Sequence, residues 1–206
     1  MPSLDWNRKW SHMIAGFVSS AAEAHFGDRW GDPESERPLR AVRRRFIAPY
    51  FRPGQTVLEI GSGGGRWTQY FQGAGALIVV EYNPEAFAYL RRRFPDRPFT
   101  AYRTRGYEMA GVPAASVDFV FTFDVFVHVE PEGIGAYLGE IERVLRPGGV
   151  AVVHYGNVLK RIARENPGFS RMTRRRMDEL IGRTRLAVLD HDSTILPHSN
   201  LVALSR

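Results

Sequence analysis

The stretch Thr56-Val57-Leu58-Glu59-Ile60-Gly61-Ser62-Gly63-Gly64-Gly65-Arg66-Trp67-Thr68 decides how the rest of the chain is read. Val57, Leu58 and Ile60 form a short apolar run of strand character. The glycines after it predict a tight turn into a helix beginning near Arg66. Without Cβ atoms, Gly61, Gly63 and Gly65 let the backbone bend sharply and let a ligand approach the main chain closely. Strand, glycine turn and helix in that order make a cofactor cradle. A dinucleotide fingerprint needs Gly-x-Gly-x-x-Gly, but counted from Gly61 the third glycine position holds Arg66. The pattern present instead is Glu59-x-Gly61-x-Gly63-x-Gly65, with an acid two places before the first glycine.

That pattern resembles motif I of the class I S-adenosylmethionine-dependent methyltransferases. A sulfonium with its amino-acid tail takes the place of a pyrophosphate there, and a carboxylate near the loop suits it better than a helix N-terminus alone. A second apolar run, Leu77-Ile78-Val79-Val80, ends in Glu81, where a doubly wound sheet would hold two ribose hydroxyls with one carboxylate. Asn83-Pro84 then opens another helix. The stretch Arg143-Val144-Leu145-Arg146-Pro147-Gly148-Gly149 is a further signature of the same family. The resemblance covers residues 54–206 and is to enzymes of the small-molecule type. It implies an α/β, Rossmann-like, doubly wound seven-stranded sheet of order 3-2-1-4-5-7-6, its last strand antiparallel, with helices on both faces. The cofactor it implies is S-adenosyl-L-methionine, with S-adenosyl-L-homocysteine as product.

At 206 residues and 44% hydrophobic content the chain suits a single domain with an ample core. Residues 1–53 are expected to form an N-terminal helical cap or lid belonging to the same domain as the core over 54–206. No apolar run reaches membrane-spanning length and no signal-peptide core is visible, so a cytoplasmic protein is expected. The absence of cysteine removes disulfides, thiolate metal sites and cysteine nucleophiles, including pyrimidine C5 methylation through a cysteine adduct. A net charge of +6 and three arginine triplets, Arg43 to Arg45, Arg91 to Arg93 and Arg174 to Arg176, raise the question of nucleic acid. Each triplet falls within a predicted helix without interleaved aromatic residues, so solvated faces are the favoured reading and nucleic acid the lesser one.

Along the chain, Trp6, Trp10, Ile14, Phe17 and Val18 recur at helical spacing and predict a helix from about Leu4 to Ala24. The turn-rich link from Phe26 to Pro33, which carries Trp30, reads as a lid over the site or as a packed loop. A helix over Pro38 to Tyr50 precedes the first strand. Beyond Glu81 the pattern predicts a helix over Ala86 to Phe94, a strand over Phe99 to Tyr102, and a central strand over Val117 to Asp124. A long amphipathic helix follows, stopped at Arg146-Pro147-Gly148-Gly149, then a strand over Val150 to His154. Helices over Val158 to Arg164 and Thr173 to Gly182, the latter capped by Thr173, lead to strands over Leu186 to Ser193 and Leu201 to Leu204.

Ligands bind beyond the carboxyl ends of the strands in such a sheet. The resemblance therefore assigns cofactor contacts to Glu59, Gly61, Ser62, Gly63, Gly65, Trp67, Glu81, Tyr82, Gly106, Tyr107, Glu108, Phe123, Asp124 and Val125. The position that usually carries an adenine-binding acid holds Gly106, leaving Tyr107 stacking or a Glu108 hydrogen bond as alternatives. Methyl transfer from a sulfonium needs alignment and, for a hydroxyl acceptor, removal of a proton. His128 and His154 are the candidate bases. Trp30, His128, His154, Tyr155 and Asn157 are the candidate acceptor contacts. Asp190, His191, Asp192 and His198 form a second polar cluster, read as hairpin polarity, and no metal is expected. Phe123-Asp124-Val125-Phe126 stands where a base-methylating enzyme would carry an Asn/Asp-Pro-Pro-aromatic motif. The segments Thr104 to Ala110 and Ser116 to His154 most resemble bacterial small-molecule methyltransferases, and the acceptor that this resemblance implies is a hydroxyl of a sugar or other small metabolite, in a monomer or homodimer. An RNA methyltransferase and a non-catalytic S-adenosylmethionine-binding module are the rival readings.

Overall fold

The computed structural model describes residues 10–19 and 23–206. Residues 4–9 and 20–22 of the first predicted helix lie outside the described residues. Seven strands form one sheet: β1 (Thr56–Ile60), β2 (Ala76–Glu81), β3 (Thr100–Arg103), β4 (Val117–Phe126), β5 (Leu145–Gly156), β6 (Ala187–Asp192) and β7 (Ser199–Ser205). Their order is β3-β2-β1-β4-β5-β7-β6, with β1 parallel to β2 and β4, and β7 antiparallel to both β5 and β6. This is the Rossmann-like arrangement that the sequence implies. The strand order reverses between β1 and β4, which opens a crevice beside the carboxyl end of β1.

Helices cover both faces. Leu58, Ile60 and Val120 pack with Ile134, Leu138 and Ile141 of α3 (Pro131–Val144) and with Met177 of α5 (Arg174–Ile181). Val57, Val79, Phe119 and Phe121 pack on the other face with Val42 of α1 (Arg37–Val42) and Leu90 of α2 (Glu85–Arg93). Burial from both sides is why β1, β2 and β4 are nearly continuous apolar runs. Each fully buried leucine or phenylalanine contributes about 1.5–3 kcal/mol. A short helix, α4 (Arg161–Glu165), lies between β5 and α5. No helix among the described residues is long and apolar enough to cross a membrane.

Four local expectations are corrected. Among the described residues the N-terminal helix covers 10–15 and closes at Gly16, whose N–H donates to the His12 carbonyl at 2.9 Å, instead of running on to Ala24. No α-helix starts at Arg66. An irregular turn leads into a 3-10 turn over Thr68–Phe71, because Gly63 and Gly65 have φ of +54° and +89°, which no right-handed helix can hold. The long helix ends at Val144, before Pro147, and Leu145 already begins β5. Pairing passes from Val117–Leu145 to Phe119–Val150, so the Arg146–Gly149 segment bulges out of the ladder. The helix expected over Val158 to Arg164 is confined to α4. Elsewhere, α1 continues as a π-helical turn over Arg43–Ile47, and Thr173 Oγ1 caps α5 by accepting the Arg176 N–H at 3.2 Å.

Acids offset many of the triplet arginines. Arg43 pairs with Glu34 at 2.7 Å, Arg45 with Asp190 at 2.8 Å, and Arg93 with Asp28 at 2.8 Å, while Arg176 reaches Glu132 at 3.2 Å. Such pairs, at least partly exposed, form a charge-compensated surface.

Candidate functional site

At the carboxyl ends of β1, β2 and β4 lies a cavity of about 490 Å³. Its floor is the glycine turn. Gly61 has φ of +73°, and a Cβ there would stand 2.2 Å from Val125 Cγ2 on the neighbouring strand β4. Gly64 is needed for a different reason: a Cβ on it would lie 2.1 Å from the Phe26 carbonyl oxygen, where the N-terminal segment crosses the turn. Glu81 closes the floor from β2. Its carboxylate accepts backbone N–H groups of Gly63 at 3.3 Å, Tyr82 at 2.8 Å and Asn83 at 3.2 Å, while burial pushes its pKa up.

Of the residues assigned from the sequence, Gly61, Ser62, Gly63, Trp67, Glu81, Tyr82, Gly106, Tyr107, Phe123, Asp124 and Val125 line this cavity, as do Trp30 and His128. Six others lie off its wall. Side chains alternate across β1, so Glu59 points to the face opposite Leu58 and Ile60. There it is buried and accepts the Thr68 hydroxyl at 2.6 Å, and burial raises its pKa to about 7. Glu59 thus anchors the turn from behind. Gly65 faces α2, where a Cβ would meet Phe94 at 2.7 Å and Leu90 at 2.8 Å. Glu108 folds back to accept the Arg105 N–H at 2.9 Å. The Tyr155 hydroxyl is committed to His191 Nε2 at 2.6 Å and to the Asn200 amide at 3.1 Å, and Asn157 is held by Asn200 at 3.3 Å. Tyr155 and Asn157 are therefore parts of the β5–β7 packing, not of the cavity.

His154 is the sixth. It is fully buried behind the wall, stacked on Phe123 with ring centroids 4.0 Å apart. Its Nδ1 accepts the Asp124 backbone N–H at 3.0 Å, which places the ring hydrogen on Nε2, pointing at the Ser199 hydroxyl. Burial drives its pKa down to about 3, so the ring is neutral at every physiological pH. The linkage sign follows. Neutral His154 contributes stability that is complete above the ordinary value of 6.5 and is lost as pH falls toward about 3. An NMR titration is expected to show the His154 ring shifts unchanged between pH 7 and 5, while an ordinary exposed histidine titrates near about 6.5. Movement of the His154 signals in that range would contradict the assignment.

What His154 holds is an unusual residue. Asp124 is a non-glycine at φ of +59°, a conformation that persists only where its surroundings enforce it. Its carboxylate pairs with Arg66, whose other nitrogen donates to the Trp30 carbonyl at 2.6 Å. Burial would raise the Asp124 pKa, but neighbouring charge outweighs it, and with His154 neutral the Arg66 guanidinium is the cation that keeps the carboxyl below its ordinary range. Asp124, His154 and His198 offer ligand atoms within 4.8 Å of one another. A cation there would compete with Arg66 for the carboxylate and with the Asp124 N–H for Nδ1. The second polar cluster does not converge, since Asp190 and Asp192 bind Arg45 and His191 lies on Tyr155, leaving only His198 at the cavity.

His128, at the mouth of β4, directs Nδ1 to the Gly168 carbonyl at 2.7 Å. Nδ1 is thus the donor and Nε2 the acceptor nitrogen. Burial lowers its pKa and favours the neutral ring. Sequence reasoning missed Arg66, Thr104, Asn83, Phe169 and His198 as wall residues. The helix expected at Arg66 concealed the first, and the others come from loops whose approach no local pattern encodes.

The cavity residues fit an S-adenosyl group. Gly61 leaves the space that a Cβ would fill, Glu81 presents a carboxylate at the end of β2, and Ser62 Oγ and Trp67 Nε1 are buried on the wall without a hydrogen-bond partner among the described residues. Fold and cleft together define a class I S-adenosylmethionine-dependent methyltransferase domain. Residues 58–153 match the family model described as "Methyltransferase domain", and the cofactor that fold and cleft fit is S-adenosyl-L-methionine. The chain is similar to an uncharacterized methyltransferase of Mycobacterium tuberculosis, 32% identical over 142 residues, which are 67% of this chain and 48% of the relative. The chain thus spans about half the length of the curated relatives it matches. Among solved structures it shares its fold with a geranyl diphosphate C-methyltransferase from Streptomyces coelicolor, crystallised with Mg2+, geranyl diphosphate and S-adenosyl-L-homocysteine (TM-score 0.68, 13% identity, 99% of this chain and 98% of that one). An S-adenosylmethionine-dependent methyltransferase from Mesorhizobium loti has the same fold (TM-score 0.68, 15% identity, 84% and 100%).

Proposed function

We propose that this protein transfers a methyl group to a hydroxyl of a small molecule, a sugar or other metabolite, with His128 as the base. The observation that carries this reading is one cavity lined both by the glycine turn with Glu81 and by an imidazole whose acceptor nitrogen is fixed by its bond to Gly168. The cofactor supplies an electrophilic methyl on a sulfonium, so that the oxygen–carbon bond forms as the sulfur–carbon bond breaks and the electron pair stays on sulfur. The chain's own tasks are then to position the acceptor and take its proton. His128 Nε2 takes that proton and later releases it to water. Gly61, Ser62, Gly63 and Tyr107 hold the cofactor, and Glu81 holds its ribose. Of the N-terminal segment, the stretch from Phe26 to Trp30 serves as the lid over the turn, while α1 packs on the sheet. His154 acts only through Asp124, as a positioning residue. The compensated arginine triplets favour this reading over RNA, and a cavity with an acceptor end favours it over a non-catalytic module.

The test is S-adenosylhomocysteine formation from S-adenosylmethionine over a panel of hydroxylated metabolites. Turnover that depends on one acceptor class supports the reading. Methylation of RNA alone, with a steep loss of binding as salt rises, would replace it. With an acceptor in hand, His128→Asn is expected to lower kcat by about 10²–10⁴-fold, the scale of a lost general base. The base form exists above the His128 pKa. Wild-type activity is therefore expected to survive below the ordinary value of 6.5 and to disappear only as pH falls through the lowered one. A pH profile with its acid limb well above 6.5 would remove His128 from the role.

A further inference from the structure

Part of the cavity wall is a continuous arc of rings that begins beside the glycine turn at Trp30 and is brought together from separate parts of the chain. Trp30 and Trp10 lie with centroids 5.1 Å apart, Trp10 and His128 5.8 Å, His128 and Phe169 5.4 Å, and Phe169 and His198 5.3 Å. All five line the cavity. Among the described lining residues Arg66 is the sole arginine or lysine, and its guanidinium already faces the Asp124 carboxylate and the Trp30 carbonyl.

From this arc and this paired cation we infer that the acceptor is an uncharged, flat aromatic compound bearing a hydroxyl, stacked among these rings with its oxygen toward His128. The inference rests on the methyl-transfer reading and narrows its acceptor. With the cations of the described residues, an anionic acceptor would have to displace Asp124 from Arg66 or be buried without a counter-charge, which is costly. A sugar presents hydroxyls around its whole rim, and each one left unpaired by ring walls is costly to bury. An arene presents two π faces instead, and each well-placed ring contact adds to the gain from area burial. Proton chemistry points the same way. A phenol ionises near pH 10, like tyrosine, far more readily than an alcohol, and so suits an imidazole that burial has made a weaker base.

The experiment is calorimetric titration of the full chain, first with S-adenosylhomocysteine and then, in the saturated protein, with 2-naphthol, 2-naphthoate and methyl glucoside. The expected result is binding of 2-naphthol, with the carboxylate and the glucoside each weaker by about tenfold or more. Phe169→Leu keeps the apolar bulk but removes the ring, and is expected to weaken 2-naphthol about three- to tenfold. The S-adenosylhomocysteine titration of the same variant reports that it is folded. Methyl glucoside or naphthoate binding as tightly as 2-naphthol, or 2-naphthol binding indifferent to Phe169→Leu, would overturn the acceptor class while leaving methyl transfer standing. Failure of S-adenosylhomocysteine to bind would overturn both.

Discussion

Gly61→Ala is expected to destabilise the fold by about 2–5 kcal/mol and to weaken S-adenosylhomocysteine binding by about 100-fold or more. Two causes add. Gly61 sits at φ of +73°, where an L side chain costs about 1–2 kcal/mol. The new methyl would also lie 2.2 Å from Val125 Cγ2, inside contact distance of a stiff β-branched side chain on a central strand, so β1 and β4 would have to part at the mouth of the cleft. The contrast is Gly139→Ala. Gly139 is in α3, where an added Cβ would meet nothing within 4 Å, and there alanine is expected to stabilise by about 0.5–1 kcal/mol. Denaturant unfolding of the two variants beside wild type checks both signs. Equal effects of the two substitutions would contradict the cradle geometry.

Arg66→Met is expected to cost about 2–4 kcal/mol, which for a chain of this size is a fall in Tm of about 5–15 °C. Arg66 is 9% exposed and Asp124 35% exposed, so the pair is less buried than those whose disruption costs most. Removal of the guanidinium leaves the Asp124 carboxylate beside apolar rings without a counter-charge, and it frees the Trp30 carbonyl that Arg66 ties down at 2.6 Å. The double variant Arg66→Met with Asp124→Asn is expected to recover part of the loss, because the unpaired charge is gone. A double variant no more stable than Arg66→Met would show that packing, not the ion pair, carries the effect.

The sheet was legible because its signals are local and periodic. Val57 to Ile60, Leu77 to Val80 and Val117 to Phe123 are apolar runs that need cover on both faces, and the order of seven strands followed from the family resemblance they anchor. The gathering of Gly61, Gly63 and Glu81 on one cavity wall was legible for a related reason, since they lie at strand ends. The acceptor end was not. Tyr155 and His154 lie on the strand that the sequence marks as facing the methyl group, yet the antiparallel pairing of β5 with β7 brings Ser199 and Asn200 beside them and buries both side chains in that contact. Glu59 was misplaced because the pattern fixes its distance from Gly61 but not the face of β1 from which it projects. Arg66, Phe169 and His198 meet only through tertiary approach, which no spacing along the chain records.

The central claim, S-adenosylmethionine held in this cleft by Glu81 and the glycine turn, is tested most directly by isothermal titration of the protein with S-adenosylmethionine and S-adenosylhomocysteine, with Glu81→Ala alongside. The account predicts binding of both by wild type, and a loss of about 1–3 kcal/mol in Glu81→Ala, the scale of hydrogen bonds to a charged group. A folded wild-type protein that binds neither, or a Glu81→Ala variant that binds both as well as wild type, would contradict it.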